Sequence, residues 1–202
     1  MRGRGLSAAA LLAACSVAVM PVPLSAQGQP PSSGPALAIQ AGWGLVIPAE
    51  TEEIEWKVVY GAAFEYAFSR RFSLSLNLDH FSLENATGRF GFTRLVLQPA
   101  LMTGRRANPK LFAGPRVGWV WKSSRLLPLF QDPATAHAVS VGLVAGTRSY
   151  LAPTVAVELA VIADLMRFGD LVADGLSVHG TSSSATSLVF RAGIVLVLRG
   201  GQ

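Results

Sequence analysis

The chain has 202 residues, half of them hydrophobic, and 17 basic against 12 acidic side chains give a net charge of +5. That excess is too mild to point to nucleic acid, and no basic run with interleaved aromatics supports such a partner. Mean hydropathy is +0.41. Yet beyond the N-terminal region no segment offers the roughly 18 consecutive apolar residues of a spanning helix.

Arg2 and Arg4 precede an apolar stretch from Leu6 to Met20, closed by Pro21 and Pro23 and then by the small residues Ser25 and Ala26. That order predicts a secretory signal peptide over residues 1–26, cleaved near Ala26. Leu12-Ala13-Ala14-Cys15 resembles a lipobox, and its alternative is a lipidated Cys15; the chain stays apolar through Met20, which favours the cut at Ala26. Cys15 is the only cysteine, so a chain cut there holds no disulfide and no thiolate metal site. Loss of residues 1–26 removes two arginines and no acids, lowering the net charge to +3. Residues 27–35 read as a polar linker, and 36–200 as one domain of about 165 residues.

Eight segments of that domain alternate apolar and small or polar residues with period 2, which has no helical reading. The first sets Leu37, Ile39, Ala41, Trp43, Leu45 and Ile47 against Gln40, Gly42 and Gly44; the second sets Val58, Tyr60, Phe64 and Tyr66 against Lys57, Gly61 and Glu65. The third is the cleanest, with Phe72, Leu74, Leu76 and Leu78 against Ser73, Ser75, Asn77 and Asp79. In the fourth, Leu95, Leu97, Pro99 and Leu101 oppose Arg94, Gln98 and Ala100; Phe90 and Phe92 break this parity and predict a bulge or a loop end near Thr93. The fifth pairs Val117, Trp119 and Trp121 against Arg116, Gly118 and Lys122, and the sixth Val139, Val141 and Leu143 against Ser140, Gly142 and Arg148. Glu158 and Asp164 lie on the small-residue face of the seventh, and Arg191, Gly193 and Arg199 on that of the eighth. Connectors after the second, fourth and sixth segments are short (69–71, 105–110, 151–154), and those after the fifth and seventh are long (123–135, 167–183).

Alternation does not say which face is wet. The more polar face is mostly Gly, Ala and Ser, as a narrow lumen requires, and aromatics gather at both segment ends: Trp43, Trp56, Trp119 and Trp121 at one, Tyr66, Phe68 and Phe72 at the other. The expected architecture is all-β, an eight-stranded antiparallel up-and-down transmembrane β-barrel. On this parity the lumen carries Lys57, Glu65, Asp79, Arg94, Arg116, Lys122, Arg148, Glu158, Asp164 and Arg191, read as an ion-pair network filling it.

The run Arg191-Ala-Gly193-Ile-Val-Leu196-Val-Leu198 in the last segment, with the seven segments before it, resembles the small outer-membrane barrels of the OmpA/OmpX type. The resemblance implies export to the cell outer membrane, contact with its lipid including lipopolysaccharide, a monomeric barrel, and an assembly signal at Arg191, Gly193, Leu196 and Leu198 read by the barrel-assembly machinery. It implies no cofactor, no metal and no enzymatic activity, with function in envelope structure or in surface contacts through the outer loops; a small pore is an alternative. The chain departs from these families by ending in Arg199-Gly-Gly-Gln202 instead of on an aromatic. A second, shorter resemblance is that of His80-Phe-Ser82 to the His-x-Ser pair of lipid A deacylase barrels, implying His80 as base and Ser82 as nucleophile, with Glu84 orienting the histidine if the strand ends there. Leu83 departs from the asparagine of those enzymes, and His137 and His179 read as loop residues.

Overall fold

The computed structural model of the chain describes residues 33–48, 55–85, 88–103, 109–126, 134–173, 176–178 and 183–198. The expected signal segment, most of the linker, His179 and Arg199 lie outside these residues. Among the described residues every regular element is a strand: β1 (Gly34–Pro48), β2 (Glu55–Ala67), β3 (Phe72–Asn85), β4 (Gly88–Met102), β5 (Lys110–Leu126), β6 (Ala134–Ala152), β7 (Val155–Phe168), β8 (Leu171–Ala173), β9 (Leu176–Val178) and β10 (Ser183–Val197). Eight long strands form one antiparallel sheet, in which β1 pairs with β10 and β5 with β6, so the sheet closes on itself and keeps no free edge. β8 and β9 are a short hairpin on the rim, joined to β6 through Thr135 and Val172.

The alternation seen in the sequence becomes the inside and outside of the barrel. Ile39 is 73% exposed and its neighbour Gln40 5%; Leu101 is 68% exposed and Ala100 4%. Successive side chains of a strand point to opposite faces, so a strict period of two puts every second residue in the lumen. The outward residues make an apolar band around the whole circumference, far larger than the few hundred Å² that a water-soluble surface tolerates.

The paired residues fix the barrel geometry. From Leu37 the pairing runs through Phe64, Leu76, Leu97, Val117, Val141, Leu165 and Thr186 and returns to β1 at Ile47, ten residues further along. A stagger of ten over eight strands tilts them by about 40° from the barrel axis. The ten steps from Phe72 to Ser82 on β3 then rise about 25 Å, the height of an outer-membrane apolar band.

Several expectations change. The register of β3 with β4 is unbroken from Phe72–Leu101 to Asn85–Gly88, so there is no bulge at Thr93. Phe92 follows the parity of Arg94 and points inward, because the outer end of the lumen is itself apolar. The one recorded register shift near a strand end falls between β6 and β7 at Tyr150 and Ala152. β1 begins at Gly34, inside the expected linker. The β3–β4 connection is only residues 86–87, as tight as the turns at the opposite end. Arg167 belongs to β7 and His137 to β6, not to loops. The turn after β2 is set by Ser69, whose Oγ accepts the amides of Arg71 at 3.2 Å and Phe72 at 3.1 Å.

Candidate functional site

The lumen holds two four-membered charge clusters. Nearer the termini, Arg148 of β6 donates to both carboxylate oxygens of Glu65 at 2.7 Å, and through Nε to Glu158 at 3.1 Å. Arg191 of β10 donates to the other oxygen of Glu158, at 3.1 Å. In the second cluster Arg94 of β4 bridges Asp164 at 2.8 Å and Asp79 at 3.2 Å. Arg116 of β5 reaches the same two carboxylates, Asp79 at 3.2 Å and Asp164 at 3.6 Å. Each cluster has two guanidiniums and two carboxylates, so each is neutral, which is what ions removed from water need. The bidentate Arg148–Glu65 contact is the strongest geometry available to such a pair.

Asn77 extends the first cluster: its Oδ1 accepts from Arg191 and from Gln40, each at 3.3 Å, and its Nδ2 donates to Ser75 at 3.0 Å. With Gln40 from β1, every one of the eight barrel strands contributes a polar side chain to the network. The bonds span the lumen: Glu65 and Arg148 lie 83 residues apart, and Arg94 and Asp164 70 apart.

Room for these side chains comes from glycine. Gly61 pairs with Asp79, Gly142 with both Asp164 and Arg116, Gly42 with Arg191, and Gly193 with Glu158. A Cβ on Gly142 would collide with the Asp164 carboxylate and the Ala163 carbonyl, and one on Gly61 would lie 2.7 Å from Asp79 Oδ1.

Beyond the second cluster the lumen is apolar rather than filled with small residues. Phe81 and Phe92 stack with centroids 4.8 Å apart, Phe168 packs edge-on against Phe92 at 5.8 Å, and the Arg94 guanidinium lies 5.3 Å from the Phe81 centroid. Lys57 is buried as expected, whereas Lys122 is half-buried, its ammonium 5.4 Å from the Phe168 centroid. Lys110 is a lumen charge that sequence reasoning assigned to a connector. It is 2% exposed, donates to the Arg70 carbonyl at 3.3 Å and lies 5.6 Å from the Tyr150 ring centroid. Its parity with Phe112 and Gly114 was the available signal.

Outside, Trp43, Trp56, Tyr60, Trp119 and Trp121 are exposed at one end of the barrel, and Tyr66, Phe68 and Phe72 at the other. The second group is a contact chain, with centroids 5.0 Å and 5.7 Å apart. No family model matches the chain, and no curated protein does. Among solved structures it is similar to Neisserial surface protein A, with a TM-score of 0.67 at 12% identity over 83% of this chain and 99% of that one. The chain has the fold of a small outer-membrane β-barrel.

Two further barrels are similar to it at the level of fold. Outer membrane protein OprG of Pseudomonas aeruginosa gives a TM-score of 0.57 at 9% identity, over 86% of this chain and all of that one. Ail, the attachment invasion locus protein of Yersinia pestis, gives 0.54 at 10% identity in a complex with the heparin analogue sucrose octasulfate, over 82% of this chain and 100% of that one.

On this outer-membrane barrel His80 and Ser82 both turn outward, toward lipid. The His80 ring is engaged elsewhere: its Nδ1 lies 3.0 Å from Thr93 Oγ1, and Tyr60 packs on it with centroids 5.3 Å apart. Ser82 faces Gly91 across the ladder, and β3 continues to Asn85, past Glu84, whose side chain is outside the described set. The histidine and the serine are therefore brought to one face but not into a hydrogen-bonded pair. In the last strand Arg191 and Gly193 point inward and Leu196 and Leu198 outward. β10 is flanked by β1 and β7, so both of its edges are paired.

Proposed function

We propose that the protein resides in the outer membrane as a closed, monomeric, non-conducting barrel that acts through its outer rim and lipid-facing surface. The observation that carries this reading is the cross-lumen network, in which two neutral clusters, together with Asn77 and Gln40, draw a side chain from every strand of a barrel already too narrow for an open channel. An apolar seal of Phe81, Phe92 and Phe168 beyond the clusters supports it further. A barrel of this fold binding a heparin analogue supports an interaction role for the outer rim. The terminal motif Arg191, Gly193, Leu196 and Leu198 is the signal read by the barrel-assembly machinery, and residues 1–26 are the export signal cleaved near Ala26.

Planar-bilayer recordings on the refolded protein test this reading: the expected result is no steady single-channel conductance. A stable, ohmic open state in the unmodified protein would overturn it. The engagement of His80 by Thr93 argues against the hydrolase alternative. Membranes containing lipid A and expressing the protein should show unchanged acyl chains by mass analysis; a deacylated species that disappears in His80→Ala would establish the enzyme instead.

A further inference from the structure

The outer aromatic belt is interrupted. Its aromatics are Trp43 on β1, Trp56 and Tyr60 on β2, and Trp119 and Trp121 on β5, with His137 of β6 packed on Trp119 at 5.9 Å, while β3 and β4 present His80, Ser82 and Thr93 there. On β7 and β10 the corresponding outward positions are Arg167, Ser184 and Thr186, all exposed. Arg167 stands between Val139 of β6 and Ser184 of β10, and one step inward Leu165 stands between Val141 and Thr186, which in turn pairs with Ile47. Below the polar trio these side chains line a groove of about 490 Å³ on the lipid face. Its volume lies in the range of roughly 300–1,000 Å³ that holds small ligands.

The depth of this groove is given by its neighbours. Val139 pairs with Trp119, and Trp43 lies four residues inward of Ile47 on β1, so the groove is level with the tryptophan belt where hydrocarbon meets headgroups. The end is the outer one, opposite the chain termini and the turns at 68–71 and 153–154. A cation costs far less at this depth than at the midplane. What it seeks there is an anion, and a guanidinium matches phosphate with two parallel bonds.

From this arrangement we propose that the groove binds a phosphorylated, multiply acylated glycolipid of the outer leaflet. The phosphate lies on Arg167 with Ser184 and Thr186 as hydroxyl donors, and an acyl chain lies along Val139, Val141 and Leu165. The proposal rests on the membrane placement and orientation argued above. Of the two gaps in the belt this one carries a cation with two hydroxyl neighbours, and an aromatic ring at Arg167 or Ser184 would fill the place of the headgroup.

The test uses the whole protein refolded in detergent, with native mass spectrometry reading bound lipid and heat-modifiable gel migration reading the barrel. The probes are bisphosphorylated lipid A, dephosphorylated lipid A and phosphatidylglycerol. One lipid A should be retained per barrel, and retention should fall about tenfold in Arg167→Gln, the scale of one charge-assisted contact. A smaller loss is expected in Thr186→Val and none in Arg71→Gln, an exposed arginine at the opposite end. Equal retention of dephosphorylated lipid A, or undiminished retention by Arg167→Gln, would overturn the proposal. Phosphatidylglycerol held as tightly as lipid A would also overturn it, assigning the groove to phospholipid. Each of these failures leaves the heat-modifiable barrel intact, whereas a wild-type protein without heat modifiability would overturn the membrane barrel and this site together.

Discussion

Arg148 is the most heavily bonded residue of the lumen, holding Glu65 and Glu158 at once. Removing it takes the guanidinium from Glu65 and leaves Glu158 with Arg191 alone, so Arg148→Ala should destabilise the barrel by about 3–5 kcal/mol in urea unfolding from lipid vesicles. Adding Glu65→Gln to that variant should restore part of the loss, and a strictly additive double variant would argue against the pairing. Gly142→Val should be at least as damaging for a steric reason, because the new Cβ enters the space of Asp164 and its backbone neighbour. A melting temperature by heat-modifiable migration equal to wild type would contradict that. The sequence made the charges of the lumen legible by parity alone, from Glu65 to Arg191. Which charge meets which was not legible, because the partners lie on strands that are not neighbours in the chain. Phe92 is not legible as a lumen residue because its apolarity matches the outer face, nor is Lys110, because it follows a Pro-containing connector.

At the level of the strand, β4 and β5 share an unusual seam. Their register places Pro99 opposite Pro115, and ladder partners are recorded up to Leu97–Val117 and again from Leu101–Ala113. Neither proline has an amide hydrogen to give, and Pro is otherwise confined to edges and bulges. Gly114 sits close against the Pro99 carbonyl, so the strands stay in contact across the gap. Amides around this seam, at Gln98, Ala100, Gly114 and Arg116, should exchange with deuterium faster than amides at the same depth between β3 and β4. Equal protection on the two seams would show that other bonds replace the missing ones. Strand existence and face were read correctly from alternation, while connectors were read too long. Residues such as Ser123, Arg167 and His137 look like loop residues by composition but continue the ladder, since pairing depends on the neighbouring strand and not on local propensity.

For the molecule as a whole, closure and the stagger of ten residues are properties of pairing between strands, invisible in any single segment. The apolar band that results requires a hydrocarbon surround, so dilution out of detergent should precipitate the protein; a monodisperse species by sedimentation in plain buffer would contradict the membrane placement. The end of the chain matters to two seams at once, since β10 holds β1 on one side and β7 on the other. Truncation after Gly193 should therefore abolish the heat-modifiable form rather than weaken it.

The network that crosses the lumen also constrains the order in which the protein can be made. Glu65 leaves the ribosome long before its partner Arg148, and Asp79 before Arg94 and Arg116. A hairpin of β1 and β2 inserted alone would hold the Glu65 carboxylate beside Tyr66, at the interface nearest the termini, without its guanidinium. Insertion one hairpin at a time thus leaves it unpaired until β6 arrives. The chain has to gather β2, β6, β7 and β10 into contact before or while it enters the bilayer, so that neutralisation of the interior and closure of the wall are a single event.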